Sequence, residues 1–210
     1  MQYFPIFLNL RHRRVLLIGG GEVAMRKAET LTRAEAQLTI IAPQITESLA
    51  TLPQTELRRR PALLEDIDET WSLVVLATNN SALQARLAER CRALRIPVNR
   101  CDAPEDSDFV TGSLIDRPPV LAAITSSGSP TLSRLLRRRL EAAFDAALEP
   151  ALLDLGRLLN EIRPEVRKRF ADSKSREAFF RAWGTEEAVT KLREQGPEAI
   201  RKEMLQCLSC

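Results

Sequence analysis

Histidine and tyrosine are almost missing from this chain: one of each, His12 and Tyr3, among 210 residues, and both precede the first glycine cluster. A histidine-based triad and a Tyr-x-x-x-Lys reductase pair therefore have no central candidate. His12 lies in the charged string Arg11-His12-Arg13-Arg14 and reads as part of a solvated turn. Proton transfer then falls to a carboxylate, a lysine or a cysteine. The 4 cysteines, at 91, 101, 207 and 210, are too few and too scattered for a disulfide scaffold. Cys207 and Cys210 form a C-x-x-C, but no second pair exists to complete a zinc site, so no resident metal is expected. Nowhere do about 18 apolar residues run together without charge, which leaves no evident signal peptide or membrane span and an expected cytoplasmic location. The formal charge is only +3, from 31 basic and 28 acidic residues. No global field calls for a nucleic acid or a membrane surface as partner.

What is present begins at Val15-Leu-Leu-Ile, an apolar strand run that passes directly into Gly19-Gly20-Gly21-Glu22-Val23-Ala24. A strand, a glycine turn and a helix start in this order lay a dinucleotide pyrophosphate on a helix N-terminus. Gly19 would make the tight turn, Gly21 would let the backbone approach the phosphates, and Ala24 would let the helix pack close to the strand. An ordinary strand-to-helix turn is the plain alternative. The spacing of Val23, Ala24, Ala28 and Leu31 predicts a helix to about Arg33. Leu38–Ala42 reads as a second strand, Glu56–Arg60 as a weak third, Leu73–Ala77 as a central strand buried on both faces, and Ile96–Asn99 as a fifth. Ser81 reads as the N-cap of a helix running to about Leu94. This alternation predicts a Rossmann-type, doubly wound parallel α/β sheet whose ligand loops are 19–22, 42–45, 78–81 and 99–108.

Beyond the sheet, Phe109–Leu114 and Val120–Thr125 read as two antiparallel strands around Asp116-Arg117-Pro118-Pro119. Helices follow, broken near Pro150, Pro164, Gly184 and Gly196-Pro197. The expected division is a nucleotide domain at 1–112, a small α+β dimerisation segment at 113–150 and a helical domain at 151–210.

Strand two ends in Ile41-Ala42-Pro43-Gln44, where an acidic residue usually holds the adenosine ribose. Local chemistry thus leaves NAD and NADP both open, with the lack of an arginine in this stretch tipping the reading toward NAD. In loop 99–108, Asp102 is the leading acid or base. Partly desolvated at a strand mouth, it is expected to have its pKa raised toward working pH; a turn-initiating role before Pro104 is the alternative. Glu105, Asp106 and Asp108 read as a solvated turn, a divalent cation site being the other option. Thr125-Ser126-Ser127-Gly128-Ser129-Pro130 is a hydroxyl-rich turn ahead of Arg134, Arg137, Arg138 and Arg139, suited either to anions or to simple capping.

Taken together, Phe4-Pro5-Ile6-Phe7-Leu8, Gly19–Ala24, Ala77-Thr78-Asn79, Asn99 with Asp102-Ala103-Pro104, and Ser129-Pro130 before Leu135-Leu136 resemble one family over essentially the whole chain. It is the precorrin-2 dehydrogenase module of siroheme synthase. The resemblance implies NAD-dependent oxidation of precorrin-2 to sirohydrochlorin, in many members followed by insertion of ferrous iron as a substrate. A methyltransferase domain, which some members carry, finds no room in 210 residues. The resemblance implies cofactor contacts at Gly19, Gly20, Gly21, Glu22, Val23, Pro43, Gln44, Thr78 and Asn79. It gives Asp102 the acid/base role and a part in chelation. With a many-carboxylate tetrapyrrole as substrate, Arg100, Arg117, Arg134 and Arg137 become clamps. Ser129 matches a position beside the tetrapyrrole cleft that is linked to phosphorylation, and a homodimer through 113–150 is implied.

This sequence departs from the family pattern at the single Gly128 and at Arg100-Cys101, both next to the implied site. Cys101 could meet iron or simply pack. The competing function is a non-catalytic Rossmann nucleotide sensor or redox-sensing binding module, its arginine-rich helix meeting an acidic partner.

Overall fold

A computed structural model describes residues 3–126 and 128–209; Ser127 and Cys210, both named above, lie outside the described residues. The chain divides into two compact units, one running to Thr111 and the other starting at Gly112.

The first unit is built on five parallel strands. In chain order its elements are β1 (Arg14–Ile18), α1 (Glu22–Arg33), β2 (Gln37–Ile41), the one-turn α2 (Glu47–Ala50), β3 (Thr55–Arg58), β4 (Leu73–Leu76), α3 (Ser81–Ala93) and β5 (Val98–Arg100). The strands lie in the order β3-β2-β1-β4-β5. Chain direction across the sheet therefore reverses between β1 and β4, the place where open α/β sheets bind ligands. Register is set by pairs such as Ile18↔Ile41 and Ile18↔Leu76.

The uninterrupted apolar strands are explained by the two-residue side-chain period. Val15 and Leu17 of β1, with Leu73 and Val75 of β4, join Ala24, Ala28 and Leu31 of α1 in one core. Leu16 and Ile18, with Val74 and Leu76, join Leu87, Ala88 and Cys91 of α3 in the core on the other face. Trp71, 4% exposed, closes the second core; its indole N–H donates to the Asp66 carbonyl at 2.8 Å, and the Arg14 guanidinium lies 4.2 Å from its ring centroid.

The second unit opens with an antiparallel hairpin, β6 (Ser113–Arg117) and β7 (Val120–Ile124), paired from Ser113↔Ile124 to Arg117↔Val120. The turn is thus Pro118-Pro119 alone. The expected strand start at Phe109 is corrected: the Phe109 carbonyl accepts the Asn99 side-chain amide at 2.9 Å, which ties that stretch to β5. Six helices follow: α4 (Pro130–Ala147), α5 (Pro150–Glu161), α6 (Arg163–Arg169), α7 (Ser173–Trp183), α8 (Glu186–Gln195) and α9 (Pro197–Ser209). The interruption at 170–172 carries no proline or glycine and was not anticipated; Asp172 caps α7 there by accepting the Ser175 amide at 2.8 Å. Leu155, Leu158, Val166, Phe179, Trp183, Leu192, Ile200 and Met204 form the core of α5–α9. Among the described residues no helix is long and apolar enough to cross a membrane.

Candidate nucleotide and acid-base site

The glycine turn is defined by what a side chain would strike. A methyl group on Gly19, whose φ is +135°, would lie 2.3 Å from the Ala77 carbonyl oxygen, and one on Gly20 would lie 1.9 Å from the Gln44 carbonyl oxygen. One on Gly21 would meet nothing within 4 Å. Gly19 and Gly20 are therefore glycine for close backbone contact, while Gly21 faces open space at the start of α1. The sequence reading gave Gly20 no task of its own. Its neighbour is the β2–α2 loop, and the Gly20 carbonyl also accepts the Thr46 amide at 3.1 Å.

No side chain caps α1, whose N-cap residue is Gly21. The first-turn amides of Glu22, Val23 and Ala24 are thus left without a capping partner, beside open space and at the positive end of the helix dipole. By contrast, α3 is plugged by Asn80, whose side chain accepts the Leu83 amide at 3.0 Å. That cap is one residue earlier than the expected Ser81. An uncapped N-terminus facing a position without a Cβ fits the diphosphate of a dinucleotide.

The other predicted loops meet this turn through named contacts. Gln44, exposed beside Pro43, backs Gly20, while Ala77 backs Gly19 and leads into Thr78 and Asn79. Gln84 of α3, 1% exposed, donates to the Thr78 carbonyl at 2.6 Å and so fixes the β4 exit; its Oε1 is buried without a partner. Ser81 of this loop interacts with the Asp102 carboxylate and helps to lower its pKa.

Asp102 follows β5 directly, and its side chain is 23% exposed. Arg100 grips it with two bonds, Nε to Oδ1 at 3.2 Å and Nη2 to Oδ2 at 3.1 Å. Burial pushes the carboxyl up, but Arg100 and Ser81 outweigh it and hold the group below its ordinary value. The expected raised pKa is thereby corrected. The signal was present in the sequence: residues i and i+2 at a strand end share a side. Arg100, expected as a substrate clamp, is 9% exposed and its Nη1 also donates to Asp106 at 2.6 Å. Asp106 is further paired with Arg92, and Asp108 accepts the Val98 amide at 2.9 Å. Asp102, Asp106 and Asp108 are therefore engaged in internal bonds, and among the described residues no group of three or more His, Cys, Asp or Glu is placed to hold a metal ion.

Two further residues, Arg59 and Lys27, were missed. Arg59 donates to the Ile45 carbonyl at 3.3 Å, because the β2–β3 pairing carries a guanidinium to the 43–46 loop that local sequence showed without one. Lys27 of α1 is hydrogen-bonded to the Thr111 hydroxyl, and burial lowers its pKa. Near it, the Cys101 thiol is pushed up by burial and packs against the α1-side core, which is the packing role.

In the second unit, Arg117 is held by Asp145 at 2.7 Å and Arg137 by Glu141 at 2.8 Å, so these two expected clamps are engaged by carboxylates of their own unit. Arg134 is exposed and makes no ion pair among the described residues. Ser129 caps α4, its hydroxyl accepting the Leu132 amide at 3.3 Å.

A family model described as "Putative NAD(P)-binding" matches residues 6–113. The chain belongs to this NAD(P)-binding family. It is 36% identical over 209 residues to a siroheme synthase of Thioalkalivibrio sulfidiphilus, covering 98% of this chain and 42% of that protein. It is 40% identical over 187 residues to a siroheme synthase of Chromobacterium violaceum, covering 86% of this chain and 38% of that protein. The chain thus spans about two fifths of these curated relatives. A solved structure described as "SirC, precorrin-2 dehydrogenase" matches with a TM-score of 0.69 at 20% identity over 99% of both chains, a likeness of fold. The Rossmann-type sheet followed by a helical region is common to both.

Proposed function

We propose that this chain oxidises precorrin-2 to sirohydrochlorin in siroheme biosynthesis, with NAD as electron acceptor. The observation that carries the reading is the chain of contacts joining the uncapped glycine turn, the Thr78–Ser81 loop and the Asp102 carboxylate on one edge of the sheet. The names of the relatives supply the substrate class.

NAD, when bound, supplies the acceptor for the two electrons and one hydrogen that leave the macrocycle. The rest is the work of this chain. Gly21 and the free amides of Glu22 and Val23 hold the diphosphate, Pro43 and Gln44 border the adenosine side, and Thr78 and Asn79 border the nicotinamide side. Asp102 accepts the proton that the macrocycle also loses, and it is ionised at neutral pH because Arg100 and Ser81 stabilise its charge. Arg100 is a positioning residue: it aims the carboxylate and sets its basicity. A base with a lowered pKa is weak, so placement within hydrogen-bond reach carries more of its effect than proton affinity does.

Arg134 and Ser129 lie at the start of α4, where Arg134 is free to meet a substrate carboxylate and a phosphate on Ser129 would repel one. Ferrous iron insertion into the product is a second activity of the same Asp102, with iron as substrate. The exposed Leu121, Leu132, Leu135 and Leu140 support homodimerisation through 113–150, with 151–210 as a separate helical domain. The free thiols Cys91 and Cys101 support action in the cytoplasm.

Anaerobic mixing of the protein with precorrin-2 and NAD tests the reading: sirohydrochlorin absorbance should rise in step with NADH. NADP in place of NAD should give slower turnover; faster turnover would assign Arg59 to a 2′-phosphate and reverse the coenzyme choice. NAD binding without turnover would mark a nucleotide sensor.

A further inference from the structure

The geometry points to a second anion site, confined to the helical unit: a cleft lined by Arg163, Arg167, Arg176 and Phe180 that binds a planar polycarboxylate. The cleft has a volume of about 550 Å³, within the range of small-ligand sites. Two i,i+4 pairs build it, Arg163 with Arg167 on α6 and Arg176 with Phe180 on α7.

Its charge is not compensated from within. Among the described residues none of the three guanidiniums makes an ion pair, although carboxylates stand nearby on the same helices. Glu165 is taken by Lys168 at 3.0 Å, Glu177 pairs with Arg181, and Asp172 accepts the Ser175 amide. Three like charges around one cleft repel each other, and a multiply charged anion relieves that repulsion while accepting forked bonds.

The flat shape of the ligand follows from the remaining wall. The Arg163 guanidinium lies over the Phe180 ring, 5.0 Å from its centroid, so the ring holds this flat cation in the cleft wall. Arg176 is fixed in place by donating to the carbonyls of Phe170 at 3.1 Å and Ala171 at 2.7 Å. A small spherical anion would use only the donor edges of the arginines. A planar one can also stack on the Arg163 guanidinium that Phe180 holds in place.

Calorimetric titration of the whole protein with trimesate, a flat ring bearing three carboxylates, tests this against tricarballylate, a flexible aliphatic tricarboxylate. Trimesate should bind once per chain, more weakly as salt rises, and unchanged by saturating NAD. The double variant R163Q/R167Q should weaken both probes roughly a hundredfold, about tenfold for each lost charged contact. Both residues are solvent-facing, and an unchanged far-ultraviolet spectrum and melting curve will show that the fold is kept. Phe180→Leu should weaken trimesate and leave tricarballylate unaffected. Absence of trimesate binding, displacement by NAD, or equal affinity in R163Q/R167Q would overturn the site, and equal loss of both probes in Phe180→Leu would overturn its preference for a planar ligand. None of these outcomes depends on dehydrogenase turnover.

Discussion

The same substitution at two adjacent glycines should separate folding from nucleotide binding. In Gly20→Ala the added methyl would sit 1.9 Å from the Gln44 carbonyl oxygen and 3.0 Å from the Ile45 Cα, against an ordinary contact of 3.4–4 Å. Both neighbours are backbone, and the Thr46 amide is bonded to Gly20 itself, so relief requires moving the β2–α2 loop. Overpacking of this kind costs about 1–3 kcal/mol, and the high end applies where no side chain can yield, which is a fall in melting temperature of roughly 10–20 °C for a unit of this size. In Gly21→Ala the methyl meets nothing within 4 Å, and the backbone there, φ −99° and ψ −167°, suits any residue. Its stability cost is that of alanine at an N-cap, about 1 kcal/mol or less. The methyl nevertheless fills the space through which a diphosphate reaches the α1 amides, and NAD affinity should fall roughly a hundredfold, about 2.7 kcal/mol. Thermal melts read alongside NAD titration check both halves. A Gly21→Ala protein that binds NAD normally, or that melts as early as Gly20→Ala, refutes the assignment of these glycines.

Four other outcomes follow from the described contacts. Asp102→Asn should lower kcat by about 10²–10⁴ while NAD affinity is kept, as measured by steady-state rates and direct titration. Because the acting carboxylate is held below its ordinary value, the rate should stay level as pH falls until the medium is more acidic than usual carboxylate titration; Arg100→Leu removes the main opposing bond and should move that limb to higher pH. Asp66, 7% exposed at its side chain and paired with Arg60, has a lowered pKa, chiefly through the Arg60 bond. Its contribution to stability is complete above the ordinary aspartate pKa and lost as pH falls through the lower folded value, so the urea midpoints of Asp66→Asn and the parent protein should differ near neutrality and converge at about pH 3 or below. Ser129→Ala should cost about 0.5–1 kcal/mol through loss of the α4 cap, read as a lower melting temperature independent of any phosphorylation.

Most of the first unit was legible because its signals are local. Uninterrupted apolar runs at 15–18 and 73–76 mark buried parallel strands, and the glycine turn joins a strand to a helix without a gap. Asp102 could be placed at the carboxyl edge of the sheet from strand order alone. What escaped depends on partners distant in sequence. Gly20 is explained by a carbonyl 24 residues on, and Arg59 reaches the 43–46 loop only because β3 pairs with β2. The Asp102 pKa was expected in the wrong direction because solvent exclusion was weighed without the guanidinium two residues earlier. The Arg137–Glu141 pair stood at i,i+4 spacing and was legible, whereas Arg117 is held by Asp145, 28 residues on, a partner that only the packing of β6 against α4 reveals. Conversely, Arg163 and Arg167 stood at helical spacing in plain view, but only the packing of α6 beside α7 shows that they share a cleft with an aromatic ring.

The most direct test of the account is an anaerobic stopped-flow trace with precorrin-2 and NAD, run on the parent protein and on Asp102→Asn. The account predicts NADH and sirohydrochlorin forming together, mole for mole, in the parent and slowed by at least about a hundredfold in the variant. Equal traces from the two proteins, or no NADH from the parent at all, would contradict it.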